Sequence, residues 1–264
     1  MASTTAPTEL QHVLVDRDRP ATRITLNRPE RYNALSLALM TELRGVLERL
    51  AEDAETRVIV IAGAGRGFSA GHDLGEMVGR EADFYAELFA ECTRLMETIH
   101  RVPQPVIARV HGVATAAGCQ LVAACDLAVA EQGARFATPG VKTGLFCSTP
   151  MVPVTRAVGR KRAMDMLLTG RLIDASTALD WGLVNQAVPA AELDTAVAAL
   201  AAQIAEASRR TIAIGKETFY AQIERDEHDA YGLATGVMAS NAQIPDAQEG
   251  ISAFLEKRTP SWEP

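Results

Sequence analysis

The sequence predicts an α/β core followed by a purely helical C-terminal region. Three observations predict it. Short β-branched runs alternate with helix-periodic stretches as far as Val188, and helical periodicity alone continues beyond Glu192. Hydrophobic residues make up 48% of the 264-residue chain, enough for one large core.

The elements follow in order. Residues 1–9 read as a frayed polar tail. Val13 to Asp16 and Arg23 to Leu26 alternate apolar and polar side chains around a turn at Asp18 to Pro20, the pattern of a hairpin. Asn27 to Leu35, NRPERYNAL, is a loop broken by Pro29. Leu37, Met40, Leu43, Leu47 and Leu50 predict a helix from about Ser36 to Glu52. Val58 to Ile61, VIVI, is a buried strand running into a glycine-rich loop, Gly63 to Gly71. Phe84, Leu88, Cys92, Leu95 and Ile99 mark a second amphipathic helix.

The chain is organised around Pro105 to Leu127, PVIARVHGVATAAGCQLVAACDL. Val106 to Val110 reads as a covered strand, Ala114 to Gly118 as a small-residue turn, Gln120 to Cys125 as a helix, and Leu127 to Ala130 as another strand. Amides in the first turn of a helix have no intrahelical partner and suit an anion or a developing oxyanion. The same small residues also suit plain close packing of helix on strand, so two readings stand.

Phe136 to Ser148 then reads as loop and Pro150 to Thr169 as mostly helix. Asp174 is expected to cap a short helix ending near Trp181 and Gly182, before a strand from Leu183 to Val188. Leu193, Val197, Leu200 and Ile204 share one helical face. Asp246 and Glu249 have the spacing of a capping box opening a last helix through Phe254. The expected division is a core over residues 10–195 and a helical region over 196–264.

Composition excludes several functions. A net charge of −7 argues against a broad nucleic-acid surface. Cys92, Cys119, Cys125 and Cys147 form no CxxC pair, so buried thiols in a reducing compartment are expected. The five histidines contain no i,i+4 pair, and no metal is expected. MASTTAPTEL lacks an apolar signal core and arginine, and no apolar run reaches spanning length; the expectation is a soluble cytoplasmic protein without membrane insertion.

Three chemistries compete for the glycine-rich loop. Gly67-Phe68-Ser69-Ala70-Gly71 fits G-x-S-x-G, with Asp126 and His228 as nominal partners of a serine hydrolase. The nine residues between Ile61 and Gly71 are long for such an elbow. Gly63, Gly65 and Gly67 hint at a nucleotide loop but miss the G-x-G-x-x-G spacing. In the third reading, this backbone and the one after Val106–Val110 face each other. One amide from each then forms a two-donor oxyanion hole that polarises a thioester carbonyl and stabilises its enolate.

Taken together, LNRPERYNAL, GRGFSAGHDL, PVIARVHGVATAAGC, ACDLAVA, ARFATPG and AVGRKRAMDMLLTG resemble the enoyl-CoA hydratase/isomerase (crotonase) family, over roughly Val13 to Trp262. The resemblance implies an α/β spiral of ββα turns with a helical C-terminal trimerisation region. It implies a homotrimer or dimer of trimers, coenzyme A thioesters as substrate or ligand, and no permanently bound cofactor. The oxyanion amides fall on His72 and Ala117. Ser69, Ala70, Gly71, Asp73 and Leu74 fall along the pantetheine and adenine, and Arg31 near the CoA phosphates. Phe254 and Lys257 match a segment that contacts CoA, often from a neighbouring subunit.

The two glutamates of the hydratases are absent: Gln120 and Gly140 occupy their positions. Hydration needs a base for water and an acid for the α-carbon, and each positioned group is worth roughly two to four decades of rate. A weak or non-standard hydratase is therefore expected, with a non-catalytic acyl-CoA-binding protein as the alternative. Gln120 either orients a substrate oxygen or merely satisfies a neighbour. Lys142, Thr143, Cys147 and Ser148 fall near the acyl group and read either as chemistry or as loop packing. The pairing of TAAGCQLVA with GLFCSTP resembles the enoyl-CoA hydratase domain-containing subgroup, associated in animals with mitochondria.

Overall fold

The computed structural model describes residues 10–263; the expected tail lies outside them. β1 (Val13–Asp18) and β2 (Ala21–Leu26) form the antiparallel hairpin. α1 (Leu37–Ala51) follows, with Ser36 Oγ accepting the Leu39 amide at its start and Leu39, Met40, Leu43, Val46, Leu47 and Leu50 buried. β3 (Val58–Gly63) leads through the glycine-rich loop to a single helical turn, α2 (Leu74–Met77), and to the long α3 (Ala82–Arg101).

β4 (Val106–Val110) enters the main sheet and β5 (Val113–Thr115) leaves it for a smaller one. Gly112 turns that corner at φ +57°, where a Cβ would sit 2.2 Å from the Arg66 carbonyl oxygen. α4 (Ala117–Ala124) returns the chain to β6 (Leu127–Glu131), and β7 (Arg135–Ala137) repeats the step into the small sheet. This repeated strand, corner strand and helix is the expected ββα spiral.

The remaining elements are α5 (Met151–Val158), α6 (Arg160–Thr169), β8 (Ile173–Asp174), α7 (Ala175–Trp181), β9 (Gln186–Val188), α8 (Leu193–Ala205), α9 (Arg209–Gln222), α10 (Glu227–Asn241) and α11 (Pro245–Glu256). The main sheet runs β1-β2-β3-β4-β6-β9, parallel from β2 onward, and the small sheet β5-β7-β8.

A parallel sheet covered on both faces explains the unbroken apolar strands. Ile59 and Ile61 pack into the core with α1, α3 and α4; Val58 and Val60 point to the other face, with Leu193, Val197 and Ala201 of α8. Each such buried side chain contributes roughly 1.5–3 kcal/mol. The expected division at residue 195 thus runs through a helix packed on the sheet.

α9 and α10 bury none of their residues within the chain. Lys216 of α9 nevertheless reaches the body: its Nζ lies 2.7 Å from Asp126 Oδ2 and donates to the carbonyls of Ile99 and Gln104 at 2.7 and 2.8 Å. Tyr220 donates to Asp126 Oδ1 at 2.8 Å. Among the described residues no helix is long and apolar enough to cross a membrane.

Several sequence expectations change. α4 starts at Ala117, not Gln120, because Ala116 makes the turn itself at φ +50°. Phe136 to Ser148 is not all loop: β7 and a 3-10 turn, Pro139–Thr143, lie within it. The last strand shortens to three residues, because Leu183 and Val184 pack into the core after the Gly182 cap. The capping box at Asp246 is not formed. Pro245 sets the helix start, and the Asp246 carboxylate instead takes the Ser208 hydroxyl and the Glu263 amide. Asp174 does cap α7, accepting the Thr177 amide at 2.8 Å.

Candidate active site

The glycine-rich loop is held from below by Asn33, which is buried at φ +52°. Asn tolerates that conformation better than most residues. Its Nδ2 donates to the Ala64 and Gly67 carbonyls at 2.8 and 2.9 Å, and its Oδ1 accepts the Arg28 amide at 2.9 Å. The loop then runs beside β5: the Ser69 amide donates to Val113 at 3.1 Å and the Thr115 amide to Ser69 at 2.9 Å.

Two glycines let this loop touch the start of α4. A Cβ on Gly118 would sit 2.3 Å from the Ser69 carbonyl oxygen. One on Gly71, at φ +95°, would sit 2.7 Å from Ala116 Cβ and 3.1 Å from the Ala117 nitrogen. Leu35 pairs with the flanks of His72, donating to Gly71 at 2.7 Å and accepting the Asp73 amide at 3.3 Å. Alternate amides of an extended strand face opposite ways, so the His72 N–H faces away from Leu35. Ala117 is the first residue of α4 and its N–H has no intrahelical acceptor. Among the described residues neither amide donates to a protein acceptor.

Beside them lies a cavity of about 450 Å3. Ala70, His72, Leu74 and Ala116 form one wall, Phe89 of α3 contributes an aromatic face, and the segment from Pro139 to Pro150 forms the other wall. Leu145 and Phe146 make that wall apolar, and Lys142 is the charged side chain on it. No aspartate or glutamate lines the cavity among the described residues.

Gln120 is only 3% exposed and does not line the cavity; its Oε1 accepts the Cys92 thiol at 3.7 Å. Gly140 does line it, and the wall folds tightly over that residue. Its carbonyl accepts the Leu145 amide at 3.1 Å and the Thr143 hydroxyl at 3.0 Å, and its amide donates to Cys147 Sγ at 3.3 Å. A Cβ there would meet the Leu145 carbonyl oxygen at 2.0 Å and Cys147 Sγ at 2.8 Å. Burial pushes the Cys147 thiol up, and those of Cys92 and Cys119 to about 12, so none is poised as a thiolate.

The serine hydrolase reading fails on geometry. Ser69 is fully buried, donates from Oγ to the Asn33 carbonyl at 2.9 Å and accepts the Gly71 amide at 3.3 Å. Asp126 is engaged by Lys216 and Tyr220, and His228 is exposed on α10. The Ser69 side chain therefore does not face a ligand either. The nucleotide reading fails because the loop leads into the Ser69–Asp73 stretch rather than a helix start.

Asp73 caps α2 through the Gly75 amide at 3.1 Å and pairs with Arg28 at 2.8 Å. Although burial alone would raise its pKa, the Arg28 hydrogen bond and charge hold its carboxyl low. Glu76 accepts the Leu37 amide at 3.0 Å. Ala70, Leu74 and Arg31 are exposed around this edge. Phe254, 82% exposed, and Lys257 lie on and just after α11, outside the cavity lining. Sequence reading missed Phe89, Leu145, Phe146 and the supporting pair Asn33 and Arg28. Only Asn33 carried a signal, as an asparagine in a proline-broken loop.

The profile of the Enoyl-CoA hydratase/isomerase family matches residues 18–264, and the chain belongs to this family. A rat relative, "Enoyl-CoA hydratase domain-containing protein 3, mitochondrial", is 48% identical over 240 residues, covering 90% of this chain and 80% of that one. The crystal structure of an enoyl-CoA hydratase from Mycobacterium smegmatis superposes with a TM-score of 0.93 at 50% identity, covering 96% of this chain and 99% of the other. That of human enoyl-CoA hydratase domain-containing protein 3 gives 0.93 at 45% identity, covering 96% and 100%. The rat relative and its mouse, Xenopus laevis, human and Danio rerio counterparts are all named mitochondrial, which overturns the expectation of a cytoplasmic protein.

Proposed function

We propose that the chain processes acyl-CoA thioesters by holding the thioester carbonyl oxygen between the amides of His72 and Ala117. The observation that carries this reading is the contact forced by Gly71 and Gly118. It packs the start of α4 against the segment carrying His72, and leaves two amides without protein acceptors among the described residues beside a mostly apolar cavity that His72 and Ala116 line. A carbonyl bound there is polarised, and removing a proton from the adjacent carbon gives an enolate whose charge falls on the held oxygen. Preorganised donors of this kind contribute about 3 kcal/mol each.

The acyl chain lies against Leu74, Phe89, Leu145 and Phe146, with Lys142 at the wall. Ala70, Gly71 and Leu74 flank the pantetheine, and Arg31 meets a phosphate. Phe254 and Lys257 complete the CoA site from a neighbouring copy in a homotrimer or dimer of trimers. The exposed Phe219, Ile223, Tyr231, Met238 and Phe254 on α9 to α11 support such an assembly.

Water addition to a conjugated thioester is slow here, since among the described residues no carboxylate lines the cavity. A second reading, acyl-CoA binding without turnover, is favoured by the tightly closed wall at Gly140. The discriminating measurement is loss of the crotonyl-CoA absorbance at high enzyme concentration, with Gln120→Glu alongside. The wild type is expected to be near background, and Gln120→Glu with it, because residue 120 faces Cys92 and does not line the cavity. Fast wild-type hydration refutes the slow-hydratase reading. Tight binding of several acyl-CoAs with no turnover of any favours the second reading.

A further inference from the structure

His72 has a side chain as well as an amide, and that side chain is unaccounted for. It is one of the residues lining the cavity. Among the described residues neither of its ring nitrogens makes a hydrogen bond of good geometry, although both are buried and the Leu35 carbonyl lies beside the ring. Its one aromatic contact is edge-on to Phe89, with ring centroids 5.4 Å apart. An imidazole with both nitrogens desolvated and unpaired carries a penalty of roughly 1–3 kcal/mol for each group. Buried polar groups left in this state call for an explanation, and a task toward a ligand is one.

Among the described residues the cavity lining offers one other basic side chain, Lys142. Asp73 and Glu76 are committed to Arg28, Gly75 and Leu37. Gln120 carries no exchangeable acid, and Gly140 has no side chain. Cys147 accepts the Gly140 amide at its sulfur, and burial keeps it a thiol. Lys142 lays its stem across Gly170, with Cε 3.1 Å from where a Cβ on that glycine would be.

We propose that the His72 imidazole takes and returns a proton at the carbon next to the thioester carbonyl of a bound acyl-CoA. This inference rests on the two-amide site proposed above. A carbonyl held by the His72 amide brings its α-carbon within reach of the same residue's side chain. The neutral imidazole nitrogen forms an N–H bond as the α C–H bond breaks. The electron pair moves into the carbon–carbon bond, and the charge settles on the oxygen between the two amides. Return of the proton to the same carbon gives exchange; delivery two carbons further along a β,γ-unsaturated acyl chain moves the double bond into conjugation. Neither needs an oxidant or a second substrate. Burial lowers the imidazole pKa, only partly offset by the nearby Leu35 carbonyl, which keeps the ring neutral and able to accept.

The test uses butanoyl-CoA with the full-length protein. Deuterium incorporation at the α-carbon is followed in D2O by mass spectrometry, and the carbonyl stretch of the bound ligand by difference infrared spectroscopy. Both His72→Ala and His72→Gln keep the backbone amide, and Gln keeps the bulk should Ala loosen the site. Wild type is expected to exchange and to shift the carbonyl stretch. Both variants are expected to lose exchange by about 100-fold or more while the shift persists. Exchange at wild-type rate in either variant, or a wild-type carbonyl shift without any exchange, overturns the assignment to the imidazole and leaves the amide site standing. No carbonyl shift in the wild type overturns the amide site itself.

Discussion

The two walls of the cavity each depend on glycine, and for opposite ends. At Gly71 and Gly118 the missing side chain lets two separate segments meet. At Gly140 it lets one segment fold over itself, and the fold shuts out any side chain that would reach the cavity from that point. One contact joins two segments of the chain; the other folds a single segment onto itself. A glycine in a motif therefore says nothing by itself about whether a site is being opened or closed; the neighbouring backbone decides.

Substitutions at these positions break the comparison in a graded way. Gly118→Ala is expected to act most strongly. Its Cβ meets a backbone carbonyl within a fully buried contact that cannot relax, so a loss of about 3 kcal/mol in urea unfolding is expected, with loss of the bound carbonyl shift. Gly140→Glu meets an even closer carbonyl, but Leu145 and Phe146 are exposed and the wall can yield. A loss of about 2 kcal/mol is expected, without any gain in crotonyl-CoA hydration, because the carboxylate has no preformed space. A gain in hydration there would mean the wall opens readily and the contrast is false.

Ser69→Ala tests a smaller point. It strips a hydroxyl that donates to Asn33 and accepts from Gly71, for about 1–2 kcal/mol. Thioester binding should survive, since the carbonyl and amide of residue 69 still pair with β5. Covalent labelling of Ser69 by a fluorophosphonate would contradict its buried position.

Long-period features were the legible ones. α1, α3 and the buried strands β3, β4 and β6 each have enough residues to display a period or a continuous apolar run. α2, β5, β7 and β8, at two to four residues, are too short to have one. The start of α4 was hidden for another reason. Its turn is made by Ala116 at φ +50°, where glycine is the usual signal, so the alanines read as spacer rather than as first turn. Asp246 misled because its carboxylate serves Ser208 and Glu263, partners 38 and 17 residues away along the chain. In the site, the family resemblance is what points to the amides of His72 and Ala117. The state of the His72 ring and the closure over Gly140 were not legible, since the first depends on Phe89 arriving from α3 and the second on the irregular turn that folds Leu145 and Cys147 back over Gly140.

The closure over Gly140 also bears on how such a protein can change over generations. A glycine codon is one base from an acidic codon, so the nearest mutational step toward a carboxylate at that point is always on offer. Yet the Leu145 carbonyl and the Cys147 sulfur already occupy the place where its first carbon would go. The step is accessible to the gene but costly in the molecule, because the segment around Leu145 must move aside to admit it. The codon change alone therefore spends stability on a carboxylate with no space prepared for it, and offers no catalytic advantage for selection to see.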